Sequence, residues 1–237
     1  MTDAINTQAL SQIRGNRFAL RDINLNIGWG HALSIVGPNG SGKTTLIKLL
    51  GSLITPTDGK IFIAGMDTSK KEEAIHRIVG FVSHELCLYN SLTIEENLLF
   101  YEKLFGLTNS ESKRKTLLDS LGLLNHSSTR VEFLSHGMRK RAAIAKALLP
   151  GPWILFLDEP ETGLDQEAFG LLKQVVTSHC SDGGTVVMAS HNFDSVLQMS
   201  DSIAILSVGK LAHYGPCDGL TKEGLLQAYS EEPNLLK

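Results

Sequence analysis

Nine residues, Gly37-Pro38-Asn39-Gly40-Ser41-Gly42-Lys43-Thr44-Thr45, constrain this chain more than any other segment. They fit the spacing Gly-x4-Gly-Lys-Thr, which a chain of this size matches by chance with a probability on the order of one in a hundred. Their surroundings argue against a merely Gly-rich turn. His31 to Val36 reads as a short buried strand, and Thr44 to Leu50 reads as the start of an apolar helix. A loop between strand and helix frees backbone N–H groups at the glycines and aims the positive end of a helix into its hollow, which suits phosphate. In that arrangement Lys43 reaches the β- and γ-phosphates of a nucleotide, and the Thr44 hydroxyl coordinates Mg²⁺.

A second apolar run, Trp153 to Leu157, ends in two adjacent acids, Asp158-Glu159. Neighbouring strand residues point to opposite faces, but where the strand ends the chain turns and both carboxylates can approach one ligand. Asp158 then binds Mg²⁺ and Glu159 polarises the attacking water. A solvated acidic turn is the competing reading, and the phosphate loop upstream outweighs it.

With these segments in place, the chain resembles the ABC transporter ATPase family over nearly its whole length. Leu134-Ser135-His136-Gly137-Met138 looks like that family's signature segment, usually Leu-Ser-Gly-Gly-Gln, which serves the nucleotide held by a second subunit. The resemblance thus implies two ATP molecules between two cassettes, as a homodimer, with Ser135, His136 and Gly137 turned to the partner's γ-phosphate. Ser135 is a good helix N-cap, and the helix beginning at Gly137 and running to Leu149 directs its dipole the same way. His136 and Met138 replace a glycine and a glutamine of the family pattern. His136 reads equally as a phosphate contact and as a surface histidine at a helix start.

The same resemblance assigns further residues. His84, in Phe81-Val82-Ser83-His84, stands where the family has a glutamine that touches Mg²⁺ or the attacking water. Neutral imidazole can do some of this, imidazolium would repel the metal, and a structural histidine is the competing reading. Glu161-Thr162-Gly163-Leu164-Asp165 resembles the family's D-loop, which puts Asp165 near the dimer centre. His191 follows the apolar strand Thr185 to Ala189, as the family's switch histidine does, and would hydrogen-bond the γ-phosphate. The family's adenine-stacking aromatic is replaced by Arg14, with Phe18 a nearby alternative. Glu159, His191 and His84 form the expected catalytic set, and Thr44, Asp158 and His84 the expected metal ligands, with ATP and Mg²⁺ as cofactors.

The 237 residues are 42% hydrophobic, enough for a full core. They read as one α/β domain over 1–237: a P-loop core of mainly parallel strands, an N-terminal antiparallel β lobe and an inserted helical subdomain over about 86–149. Phe18 to Ile27 alternates as a half-buried strand does, and Lys60 to Ala64 is another strand before a turn at Gly65. Thr93-Ile94-Glu95-Glu96 is a capping box, and Gly106 stops the helix that runs through Leu98, Leu99 and Leu104. Pro150-Gly151-Pro152 closes the helical lobe, and the residues from Ser230 read as frayed. A net charge of −3 and a pI near 6.2 offer no electrostatic case for nucleic acid. Lys113-Arg114-Lys115 and Arg139-Lys140-Arg141 read as solvated helix faces.

No stretch approaches ~20 apolar residues, and the N-terminus lacks a basic-then-apolar signal. Cys87, Cys180 and Cys217 are scattered, which fits a reducing cytosol and argues against a disulfide or metal framework. On the family resemblance, one cassette without a membrane segment implies a polytopic permease on a separate chain, with this chain peripheral on the cytoplasmic face of the membrane. Phe81 to Leu107, with Ser83-His84-Glu85 and Glu96-Asn97-Leu98-Leu99-Phe100-Tyr101, looks like the ATPase subunit of heme exporters used in cytochrome c maturation. Multidrug or lipid exporters of the ABC-2 type share the Leu-Ser-His-Gly-Met kind of signature and are the alternative. A soluble ABC-type ATPase, such as an iron–sulfur assembly factor, is a further one.

Overall fold

Apolar residues recurring along the first segment commit it to an antiparallel lobe. In the computed structural model, which describes residues 2–108 and 110–220, β1 (Ile5–Arg14) and β2 (Arg17–Ile23) pair across the Gly15-Asn16 turn. The strand expected over Phe18 to Ile27 is broken, because Asp22 adopts a left-handed φ of 55°. Asn24 then turns its side-chain oxygen to accept from Ala9 N at 2.8 Å, and β3 (Asn26–Ile27) resumes pairing on β1. The next strand, β4 (Ala32–Val36), is buried at every residue and feeds through the glycine-rich loop into α1 (Lys43–Leu50). β5 (Asp58–Ile63) joins β1, and a left-handed pair at Ala64 and Gly65 turns it into β6 (Met66–Asp67).

A short helix that the sequence pattern did not announce, α2 (Glu72–His76), precedes β7 (Val79–Val82). The helical lobe follows as α3 (Ile94–Leu104), α4 (Glu111–Ser120) and α5 (His136–Leu148), with irregular chain over 86–93. Both halves of the Thr93/Glu96 capping box form. α3 ends in a Schellman pair, Gly106 N to Lys103 O at 3.2 Å and Leu107 N to Glu102 O at 2.8 Å. Gly106 supplies the left-handed φ of 67° that this stop requires.

The chain returns to the central sheet with β8 (Ile154–Asp158), α6 (Gln166–Ser181), β9 (Thr185–Ala189), α7 (Phe193–Met199), β10 (Ser202–Ser207) and β11 (Lys210–Pro216). The sheet order is β11-β10-β4-β9-β8-β7, parallel throughout except for the antiparallel β11 edge. Period-two alternation splits β8 between two cores. Ile154 and Phe156 pack with α1 and the antiparallel lobe, while Leu155 and Leu157 pack with α5 and the helical lobe. The tail expected to fray from Ser230 lies outside the described residues.

The two basic runs are not simply solvated faces, and the central residue of each is buried. Arg114 Nη1 donates to both carboxylate oxygens of buried Glu102, at 2.7 and 2.8 Å, a buried ion pair that ties α4 to α3. Lys140 is 4% exposed, and the flanking Arg139 and Arg141 donate to the Leu134 and Leu121 carbonyls at 3.0 and 2.7 Å. Helix periodicity explains the error: in a three-residue run the faces differ by about 100° per residue, so at least one can point inward.

Removing one member of the buried pair leaves the other uncompensated. Arg114→Met should therefore lower unfolding free energy by about 3–5 kcal/mol, and Arg114→Met/Glu102→Leu should recover most of that loss. Urea denaturation of the three chains checks both.

Candidate functional site

Parallel strands share one direction, so their C-terminal ends lie along one edge of a sheet. In β7-β8-β9-β4, adjacent in that order, the four ends lead into the His84 segment, the Asp158-Glu159 turn, Ser190-His191 and the glycine-rich loop. Segments more than a hundred residues apart in sequence thus meet within a few strand spacings of about 4.8 Å.

The loop's shape is set by close backbone packing. A Cβ on Gly42 would lie 2.6 Å from Ala19 O, and one on Gly37 would lie 2.3 Å from Leu206 O. Gly42 also caps α1 with a left-handed φ of 108°, and no side chain caps that helix. The first-turn N–H groups are left for an anion. The loop is braced from outside by Gly209 N donating to Ser41 O at 3.1 Å. Inside it, Lys43 is folded over the loop and donates to Gly37 O at 2.8 Å and Pro38 O at 3.2 Å. Burial holds its ammonium below the usual lysine range, against the pull of Glu159 and Asp158.

Two hollows adjoin the loop. One of about 320 Å³ is lined by Arg14, Asn39, Gly40, Gly42, Lys43, Thr44, Thr45 and Glu159. The other, about 570 Å³, is lined among others by Thr44, Lys48, His84, Asp158 and Glu159. Asp158 is buried and accepts a hydrogen bond from the Thr44 side chain. Burial and then the Glu159 carboxylate raise its pKa above the ordinary value, while Lys48, Thr44 and His84 pull it down. Glu159 adopts a left-handed φ of 50°, which turns its side chain into the cleft. There its Oε1 lies 3.3 Å from His191 Nδ1.

Other expected residues stand elsewhere. Ser135 caps α5 by accepting from Met138 N at 3.2 Å. Neither it, His136 nor Gly137 lines the two loop hollows of this chain. His136 lies instead against the D-loop, where a Cβ on Gly163 would be 2.6 Å from its Cδ2. Asp165 caps α6, accepting from Ala168 N at 2.8 Å. Phe18 is 52% exposed, lies under the Arg21 guanidinium, and lines a separate hollow with Ser11, Ile13 and Thr57. The β1–β2 turn places Arg14, not Phe18, beside the phosphate loop, because alternate strand residues face opposite ways.

Sequence reasoning passed over Lys48, Lys140 and Glu161. Lys48 lies one turn after Thr44, and Lys140 one turn after His136, so i,i+4 spacing was the available signal. Glu161, 8% exposed, accepts from the Ser190 hydroxyl and so ties the turn after Glu159 to the residue before His191. The three cysteines are free. Burial pushes the Cys180 and Cys217 thiols up to about 11, which keeps them unreactive.

The family described as "ABC transporter" matches residues 20–162. The lantibiotic transport ATP-binding protein SrtF of Streptococcus pyogenes is 34% identical over 90% of each chain. The bacitracin transport ATP-binding protein BcrA of Bacillus licheniformis is 33% identical over 94% of this chain and 72% of its own. Among solved structures, a dimeric post-hydrolysis state of an ATP-binding cassette bound to ADP and Pi superposes with a TM-score of 0.77. It shares 28% identity and covers 91% of this chain and 100% of that one. The chain belongs to the ABC transporter family, and it is the family's ATP-hydrolysing cassette.

Proposed function

We propose that this chain drives export through a separate membrane subunit by hydrolysing ATP held between two copies of itself. The observation that carries the reading is the contact between Glu159 and His191 beside the phosphate loop. A carboxylate held at that edge can take a proton from an attacking water, and an imidazole beside it can bind the γ-phosphate. Lys43 need only swing from the Gly37 and Pro38 carbonyls to reach phosphate oxygens. Arg14 lies where a guanidinium can stack on adenine. Ser135, His136 and Gly137, at the start of α5, serve the nucleotide of the other copy, and Asp165 lies near the junction of the two.

The donor set fits Mg²⁺. Thr44 and Asp158 offer a hydroxyl and a carboxylate oxygen already hydrogen-bonded to one another, and a hard cation takes such oxygens together with substrate phosphates. His84 faces the same hollow as a further ligand or water contact. Bound there, the ion would neutralise charge on the β- and γ-phosphate oxygens.

Among the described residues no helix is long and apolar enough to cross a membrane, and in this reading a polytopic permease subunit supplies the membrane path. A groove of about 790 Å³, lined by Phe81, Cys87, Tyr101, Leu104, Phe105 and Lys146, lies between the His84 segment and the helical lobe. It suits a short helix of that partner on the cytoplasmic face. The relatives named for lantibiotic and bacitracin transport support a cargo of the ABC-2 exporter class. The heme reading draws only on the likeness of Phe81 to Leu107.

Three outcomes are expected. Glu159→Gln should bind ATP, lose about 10²–10⁴-fold in hydrolysis rate, and accumulate as a dimer by size-exclusion chromatography with light scattering; near-normal turnover would remove Glu159 from the base role. Asp158 has a raised pKa, so the folded state binds more protons in the window between its unfolded and folded pKa values. Stability is lost as pH rises through that window, and the penalty is fully present above it. Asp158→Asn should therefore melt higher than the parent at neutral pH without nucleotide, while losing Mg²⁺-dependent hydrolysis. Finally, a strain lacking this chain should become sensitive to lantibiotics or bacitracin with normal holo-cytochrome c. Loss of holo-cytochrome c at unchanged sensitivity would shift the cargo to heme.

A further inference from the structure

We propose that Lys140 is a positioning residue for hydrolysis, fastening the signature helix of a subunit to the backbone of that same subunit's Glu159. This rests on the reading of Glu159 as the base. The ammonium is buried and donates to Glu159 O at 2.6 Å and to Thr162 O at 2.8 Å. The Glu159 N–H is held from the other side, donating to Ala189 O at 2.9 Å. Both backbone polar groups of Glu159 are therefore clamped, one by β9 and one by α5. That clamping matters because Glu159 is a non-glycine residue with a left-handed φ of 50°, a conformation that persists only where its surroundings hold it.

Two further contacts make the clamp one body. One turn before Lys140, the His136 ring lies against Gly163, where a Cβ would come within 2.6 Å. Lys140 and His136 thus grip the 159–163 turn at its two ends. The buried Glu161 carboxylate inside that turn accepts from Ser190, next to His191. It is also the largest of the carboxylate fields acting on the Lys140 ammonium, ahead of Glu159 and Asp158. A lysine suits this place because it carries three donors and no acceptor, and carbonyls with nearby carboxylates supply what a buried cation needs.

The consequence is directional. The N-terminal end of α5 carries the signature residues that serve the other copy's nucleotide. Any shift of α5 as it engages that nucleotide pulls on the Glu159 carbonyl through Lys140, so engagement on one side of the dimer sets the aim of the base on the other.

Steady-state hydrolysis by the full chain tests this with Lys140→Met, Lys140→Arg, Glu159→Gln and the Lys140→Met/Glu159→Gln double variant. Misplacing a catalytic group by about 1 Å can cost about a hundredfold. Lys140→Met should therefore lower kcat by roughly tenfold to a hundredfold, with KM for ATP changed by less than about twofold. Lys140→Arg, which keeps the buried donors, should restore most of kcat. In the Glu159→Gln background Lys140→Met should add almost nothing, since it acts through the missing base. Unchanged kcat in Lys140→Met, no difference between Met and Arg, or a full additive loss in the double variant would each overturn the proposal. If Lys140→Met fails to melt cooperatively, Lys140→Leu, which likewise lacks a donor, is read by the same criteria. Near-normal hydrolysis by Glu159→Gln itself would instead overturn the base assignment on which the proposal rests.

Discussion

The parallel hydrogen-bond ladder through β7, β8, β9 and β4 is the constraint on which the site depends. Its register pairs Val82 with Leu157, Asp158 with Ala189, and Ala189's neighbour Met188 with Ser34. Each pairing sets how far one chemistry-bearing loop stands from the next. A slip of one residue would turn every inward side chain outward and move each loop along the strand axis by about 3.3 Å. The buried runs of β4, β8 and β9, sandwiched between two apolar cores, make such a slip costly.

At the edge this ladder creates, the charges are not at rest. Burial and the Glu159 carboxylate raise the cost of ionising Asp158, Lys43 is partly desolvated, and its ammonium is parked on loop carbonyls. A chain selected only for stability would not gather these groups beside an uncapped helix N-terminus. On the proposed reading, polyphosphate and a divalent cation would resolve all three conflicts together, the phosphates taking the lysine and the N–H groups and the metal taking the carboxylate. That reading makes the site complementary to the charge distribution of a metal-bound nucleotide.

Helix α5 is the second organising element. It places buried ammonium groups at two heights, Lys140 on the carbonyls of the Glu159 turn and Lys146 on the Leu86 and Cys87 carbonyls, at 2.8 and 3.3 Å. Tyr101 donates to the same Cys87 carbonyl at 2.6 Å and offers its ring face to Lys146. This helix thus holds both the turn carrying Glu159 and the segment following His84.

Much of this was legible along the chain, because short-range physics writes it there. Apolar run lengths announced β4, β8 and β9, the Thr93/Glu96 spacing announced the start of α3, and Ser135 announced the start of α5. Loop glycines followed by Lys43 and Thr44 declared a nucleotide-binding loop, since few other uses need those residues in that order. What the sequence could not reveal depended on partners far away in it. Whether Lys140 faced water or the Glu159 and Thr162 carbonyls, whether Arg14 or Phe18 bordered the phosphate loop, and whether Glu159 met His191 were decided only by tertiary structure. A buried charge or a strand residue's facing is set by what packs against it, and those neighbours come from the sheet order and from the seating of α5, neither of which any local pattern encodes.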